Sequence, residues 1–372
     1  MAVTFAVVAG GVIWRWHDMA QRSAKPVMTG MAAANASNPT LTAAPKPAAA
    51  QSRLQEFTTR LNVAPDAKTA RPQLAELRAT LAALSTAGAV AEIRRFLDSK
   101  TDGPTQLGFK VARNGLLDEA PTVRTFLLDE LARIDPAAAA EYAKTILASK
   151  DSPDEWAVAL RNLAQGDPSA EGRALLEQKA GELLRYEPWQ KDPALGYLEA
   201  FDVAVFVGGT NLVPVLADLI RRPDNPAVAR ASFLALDRLV INDAAATLAV
   251  LQAAPDWMQG REQTRANYFA RGDVRSPEQR QLLEGYLLNP SLSPAELAAF
   301  AGVFPNANFM ISPNLLTQTQ TPDRAVLVAR DAESLLVVQQ WLADPRFARL
   351  RPQLEKLRAR LELFVQQATQ GK

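Results

Sequence analysis

Three times in this chain a serine is followed by proline and then, at the third position, by glutamate or glutamine: Ser152-Pro153-Asp154-Glu155, Ser276-Pro277-Glu278-Gln279 and Ser293-Pro294-Ala295-Glu296. Each is a complete helix start. The serine accepts an otherwise orphaned backbone N–H, the proline sits at the first helical position, and the acid or amide closes a capping box. Further prolines at Asp135-Pro136, Asp192-Pro193, Asn225-Pro226, Asn289-Pro290, Thr321-Pro322 and Asp344-Pro345 fall between apolar runs and read as breaks. Between these marks the apolar period is close to 3.6. Stripes run through Leu74, Leu77, Leu81 and Leu84; Val123, Phe126, Leu127, Leu131 and Ile134; Leu175, Leu176, the Lys179 stem and Leu183; Val228, Ala231, Ala235, Leu236 and Leu239; and Leu335, Leu336, Val338, Gln339 and Leu342. The spacing predicts about fourteen helices of roughly 10–20 residues with short connections, an all-α fold from Thr69 onward. The best strand candidate, Val203–Val207 before Gly208-Gly209, also continues a helix from Pro193.

Many short helices in series make either a bundle or a solenoid. Pro121-Thr122-Val123-Arg124 opens a helix reaching Ile134, and Asp135-Pro136 opens a second reaching Leu147. Pro226-Ala227-Val228-Ala229-Arg230 opens a helix reaching Val240, and Asn242-Asp243 opens a second reaching Leu251. The pattern of Pro-x-Val, a nearby Arg, a leucine eight residues after the valine and an Asp-containing turn resembles a HEAT-type repeat. The resemblance covers these two helix pairs, and Thr69 to Leu288 more loosely. It implies an irregular α-α superhelix of stacked helical hairpins whose curved surface binds a partner, and it transfers no catalytic residue.

The body is preceded by different material. Met1–Trp14 is an apolar run without charge, followed by Arg15 and Trp16. It is shorter than a bilayer span, and no basic region precedes it as in a signal peptide. The tryptophans suit a membrane interface, so residues 1–16 are read as part of an anchor whose start lies upstream of Met1; a short interfacial or disordered terminus is the other reading. Residues 17–68, rich in Ala, Pro, Thr, Ser and Asn, read mostly as a disordered tether. This layout places the body outside the cytoplasm on a membrane anchor. A cytoplasmic body is the alternative, because Arg15, Arg22 and Lys25 follow the run.

Composition removes much chemistry. With no cysteine, the chain has no disulfide, thiolate metal site or cysteine nucleophile. Its single histidine, His17, lies before the body, so no histidine triad or histidine acid–base step is expected there. Lys+Arg of 41 against Asp+Glu of 40 leaves a formal charge of +1, without the basic footprint of a nucleic-acid binder. No catalytic residue, metal or cofactor is assigned. The carboxylates Asp151, Asp154 and Glu155 read as helix-start residues, with acid–base or cation chemistry as the alternative. Val207-Gly208-Gly209-Thr210-Asn211 lacks the lysine and spacing of a phosphate loop and reads as a helix break capped by Thr210 or Asn211. Trp156, Trp189, Trp257 and Trp341 read as core anchors, with a binding platform as the alternative.

Two surfaces remain as candidates. The irregular segment 303–321, between the repeat domain 69–302 and the C-terminal helices 322–372, is unusually apolar for a loop. Phe304, Phe309, Met310 and Ile311 either plug the end of the stack or meet a partner. The last helix carries Phe347, Leu350, Leu354, Leu357, Leu361 and Phe364 at heptad spacing, with Arg346, Arg349, Arg351, Lys356, Arg358 and Arg360 on its outer face. It reads as a cap of the stack; self-association, or attraction of an acidic partner or anionic lipid, are the alternatives. The function expected is a non-enzymatic, membrane-tethered helical-repeat scaffold for a protein partner. An extracytoplasmic enzyme or enzyme subunit using carboxylates, and a soluble protein binding an acidic partner or nucleic acid through the basic helix, are the alternatives. No small-molecule partner is expected.

Overall fold

The computed structural model describes residues 67–370 together with Leu54, Thr58 and Thr59. The expected anchor and nearly all of the tether lie outside the described residues. Leu54 is 1% exposed and joins the apolar core, and Thr58 Oγ1 donates to Leu54 O at 2.9 Å, so packing against the body begins before Thr69. Among the described residues no helix is long and apolar enough to cross a membrane.

The fold is all-α apart from one small hairpin. In chain order the elements are α1 (Ala67–Ala82), α2 (Thr86–Asp98), strands β1 (Lys110–Val111) and β2 (Leu117–Glu119), α3 (Val123–Ile134), α4 (Pro136–Ile146), α5 (Pro153–Gly166) and α6 (Ala170–Arg185). Three short helices follow, α7 (Glu187–Lys191), α8 (Leu195–Glu199) and α9 (Asp202–Val207), then α10 (Val213–Arg221), α11 (Pro226–Asn242), α12 (Ala244–Ala253) and α13 (Glu262–Phe269). The last are α14 (Pro277–Leu288), α15 (Pro294–Val303), α16 (Arg324–Ala343), a 3₁₀ turn over Pro345–Leu350, and α17 (Arg351–Gln370).

The three Ser-Pro starts are realised as serine caps, but the expected capping boxes are not closed: Glu155 and Glu296 turn to Arg124 and Arg265, and Gln279 Oε1 accepts Asp273 N. Ser152, Ser276 and Ser293 are N-caps of α5, α14 and α15, accepting from Glu155 N, Gln279 N and Glu296 N at 3.2, 3.4 and 3.1 Å. Asp135, Asn225 and Asp243 cap α4, α11 and α12 with their side chains. The strand candidate Val203–Val207 is helical, in α9, because its valines are buried among neighbouring helices and the chain stops at Gly208 and Gly209, whose φ of 73° and 69° only glycine adopts readily. The break after α9 is as expected but the cap is not: α10 starts at Val213 with no side-chain cap, and Asn211 Nδ2 instead donates to Glu177 Oε1 at 2.6 Å. In α16 the buried face is Ser334, Val337, Val338 and Trp341, while Leu336 of the expected stripe is 52% exposed.

Helices pack with their sequence neighbours and with the next helix but one. One row contains α3, α5, α8 and α9, α11, α13, α15 and α17, each packed on the next. The other contains α4, α6, α10, α12 and α14, set against the first. Where α4 and α5 meet, a Cβ on Gly166 would lie 2.0 Å from Pro136 O, so the glycine permits that close approach. Trp156, Trp189 and Trp341 serve the core, and Trp257 packs half-buried against it. Trp156, Trp189, Tyr197 and Phe201 follow one another edge to face, and Phe269, Tyr286, Phe300, Phe304, Trp341 and Phe347 form a second chain of ring contacts across the C-terminal end.

Candidate functional site

The first row carries a series of ion pairs between residues 31–36 positions apart. Arg124 pairs with Glu155, Arg161 with Asp129, Arg238 with Asp202, Arg271 with Asp237 and Arg265 with Glu296. Three of these pairs fork two guanidinium nitrogens onto two carboxylate oxygens at 2.6–2.9 Å. Burial makes such pairing obligatory, since an unpaired charge in the helix stack is costly. The spacing is that of a two-helix unit, so each pair ties one helix of the row to the next.

The segment 304–323, between α15 and α16, is laid along this series. It starts in the core: Phe304 has no exposure, and Arg360 donates to the carbonyls of Gly302 and Phe304. Asn306 N donates to Ala270 O at 2.7 Å at the end of α13. Arg271, already on Asp237, also donates to Asn306 O at 3.3 Å and Asn308 O at 2.6 Å, and its guanidinium lies 5.5 Å over the ring of Phe309. Arg330 of α16 holds Asn306 O and Arg271 O at 3.3 and 2.8 Å.

The far end is fixed 114 positions back in sequence. Asp202 Oδ2 accepts Leu316 N and Thr317 N at 2.7 and 3.0 Å, Thr317 Oγ1 donates to its other oxygen, and Arg238 balances the charge at 2.7 Å. Leu315 is fully buried, and its carbonyl lies where a Cβ on Gly115, in the turn of the hairpin, would reach it at 2.3 Å. Gln318 Nε2 reaches Arg113 O at 3.4 Å. The hairpin is itself docked: Leu117 N donates to Asp129 Oδ1 at 2.9 Å, and Arg161 Nη1 donates to Gly115 O at 3.0 Å. The segment is a strap clamped at both ends. Between the clamps Met310 and Ile311 are 49% and 70% exposed.

Phe304 takes the plugging role, as a ring in the aromatic chain, and Phe309 is half-buried beneath Arg271. Met310 and Ile311 alone of the four are surface groups. The basic face also separates into individual tasks. Arg349 donates to Leu287, Asn289 and Pro290 carbonyls at the end of α14, and Arg351 to Leu342 O. Arg360 is spent on the strap; burial lowers its pKa from the usual arginine value. Lys356 and Arg358 remain exposed, Arg358 beside Glu362 at 3.5 Å. The heptad seam is covered within the chain, with Phe347, Leu350, Leu354, Leu357 and Leu361 all 2% exposed or less and only Phe364 outside.

The helix-start carboxylates do not converge. Asp151 accepts from Ser149 Oγ at 2.9 Å, Glu155 is paired with Arg124, and Asp154 Oδ1 accepts Gly196 N at 2.8 Å, with burial raising its pKa above the ordinary range. Among the described residues no group of three His, Cys, Asp or Glu side chains is arranged to hold a metal ion. Asp202, Arg238, Arg271 and Arg330, which build the strap site, were missed in the sequence reading; the signal that could have found them is the recurrence of acid–arginine pairs at about one two-helix period. The fold and site together define an all-α protein of serially packed helix pairs with a clamped surface strap. No family model, curated protein or solved structure matches the chain.

Proposed function

We propose that the chain is a non-enzymatic scaffold built from HEAT-type helical repeats, held at a membrane by its N-terminus with the body outside the cytoplasm, and that the strap is its partner-binding element. The observation that carries this is the exposure of Met310 and Ile311 on a segment fixed at both ends. A loop with free ends could turn two large apolar side chains inward; this one is held in register by Asp202 and Arg271, and its crest stays in water at a cost of roughly 1–2 kcal/mol per side chain. A protein surface that covers the crest recovers that energy, and a pre-fixed loop loses little entropy on binding.

A photo-crosslinking residue placed at Ile311 in the full chain, in its native membranes, tests the reading. Leu195, 57% exposed elsewhere on the body, is the control position. A discrete protein adduct at 311 that is absent at 195 is expected; no difference between the two positions defeats the proposal. Retention of the chain in the salt-washed membrane fraction, lost on deleting Met1–Trp16, tests the tether separately.

A further inference from the structure

A second surface lies on the other half of α11. The strap engages the C-terminal half of that helix through Asp237 and Arg238, whereas its N-terminal half forms, with the loop after α10 and with α13, a cleft of about 470 Å³. Its floor is apolar, with Pro223, Pro226 and the half-buried ring of Phe233. Three arginines line it, Arg222, Arg230 and Arg261, and no Asp or Glu does.

The three arginines are not equivalent. Arg222 is satisfied, with two nitrogens on Asp224 at 2.7–2.8 Å and the third on Gln190 Oε1 at 2.9 Å. Among the described residues the Arg230 side chain makes no hydrogen bond or ion pair; its guanidinium lies 5.4 Å over the Phe233 ring. Arg261 bonds through its backbone, its N–H donating to Met258 O and its carbonyl accepting from Arg265 N, and its side chain likewise has no such partner among the described residues. In the same row Arg124, Arg161, Arg238, Arg265 and Arg271 each have a carboxylate of their own. Two like charges lining one cleft without a counter-charge raise the local potential, and an incoming carboxylate lowers it. The Phe233 ring is stacked on Tyr268 at 5.6 Å and carries the Arg230 cation above it, which gives the floor a charged rim.

We propose that this cleft binds an acidic peptide segment of a protein partner, seating a carboxylate between Arg230 and Arg261 and an apolar side chain on Phe233 and the two prolines. Guanidinium groups suit this recognition because their planar donors match carboxylate geometry. The site does not depend on the strap, whose crest is formed by other residues.

The test is fluorescence anisotropy with the full chain and a fluorescein-labelled ten-residue peptide of alternating Glu and Leu, against the same peptide with Gln for Glu. The Glu peptide is expected to bind at least tenfold more tightly. R230A/R261A is expected to lose at least tenfold of that affinity, and R230K/R261K, which keeps the charge but not the planar donors, to lose less than the alanine pair. Neither arginine side chain bonds to the fold, so both variants should melt with the parent chain; if the alanine pair does not, R261E alone replaces it with the same expected loss. Substituting Met310 and Ile311 by serine should leave peptide affinity unchanged, which separates failure here from failure of the strap proposal. Equal binding of the Gln peptide, unchanged binding by R230A/R261A, or a preference for a single-stranded oligonucleotide over the Glu peptide would each overturn the assignment.

Discussion

Asp202 Oδ2 and the backbone N–H of Leu316 meet at 2.7 Å although 114 positions separate them. The same carboxylate takes Thr317 N and Arg238, so one side chain of α9 closes the strap and neutralises a cation of α11. Asp202→Ala leaves Arg238, 16% exposed, without its counter-charge and should cost about 3 kcal/mol, the range for breaking a buried pair on one side. Asp202→Asn keeps an acceptor and should cost less. Urea unfolding gives the energies. Amide exchange gives the mechanism: Leu316 and Thr317 should lose protection in Asp202→Ala while the helix cores keep theirs, and unchanged protection would refute the clamp.

The hairpin clamp can be tested with one methyl group. Gly115 has φ of 80°, and a Cβ there would lie 2.3 Å from Leu315 O. Gly208 has a similar φ of 73° but open space around it. Gly208→Ala should therefore cost only the backbone penalty of its φ 73°, ψ −165° conformation, about 1–3 kcal/mol. Gly115→Ala should cost that plus the displacement of the strap, about 2–4 kcal/mol in all. The difference in urea midpoints between the two variants measures strap docking, and equal midpoints would mean that the strap yields freely.

The contrast between what the sequence revealed and what it hid follows the range of the interactions. Ser152, Ser276 and Ser293 act within three residues, so their caps could be read directly. The buried stripes of α3 and α11 are equally local. The hairpin was missed because strands of two and three residues are too short for an alternating pattern to show. The strap was seen as an apolar irregular segment, but its course depends on Arg271, Asp202 and Gly115, whose partners in it lie 35 to about 200 residues away, and no local pattern encodes that. The basic face of α17 looked uniform because charge is visible in sequence while the carbonyls that Arg349, Arg351 and Arg360 satisfy are not.

Arg161 and Asp129 are 0% and 1% exposed, the deepest ion pair of the row. Desolvation lowers the arginine's pKa, against the raising effect of Asp129, and every nitrogen of the guanidinium has an acceptor among Asp129, Asn162 and Gly115 O. Arg161→Met should cost about 3–5 kcal/mol, because Asp129 keeps the half-buried Arg133 as its paired cation but loses the buried one, with the Leu117 N–H as its other donor. Arg161→Met with Asp129→Leu should cost less than the sum of the two single changes, by roughly 1–3 kcal/mol, since no buried charge is then stranded. A double-mutant cycle in urea reads that coupling, and strict additivity would show the two side chains to be independent.

Glu199 closes α8 one turn before Asp202 and lies partly buried, its carboxyl without a hydrogen-bond partner among the described residues. Burial first, and the charge of Asp202 second, hold its carboxyl above the usual glutamate range, with Arg238 opposing. A carboxylic acid with a raised folded-state pKa binds more protons folded than unfolded, so its contribution to stability falls as pH rises. The penalty is absent below the unfolded pKa, near 4.3, and fully present above the raised folded value. Glu199→Gln removes the charge at every pH. The variant should therefore melt above the parent at pH 7, and the gap should close as pH drops to about 3.5, where both side chains are neutral in both states. Thermal unfolding of the two proteins at the two pH values decides the matter; a gap that persists or widens in acid would place the effect in packing and not in ionisation.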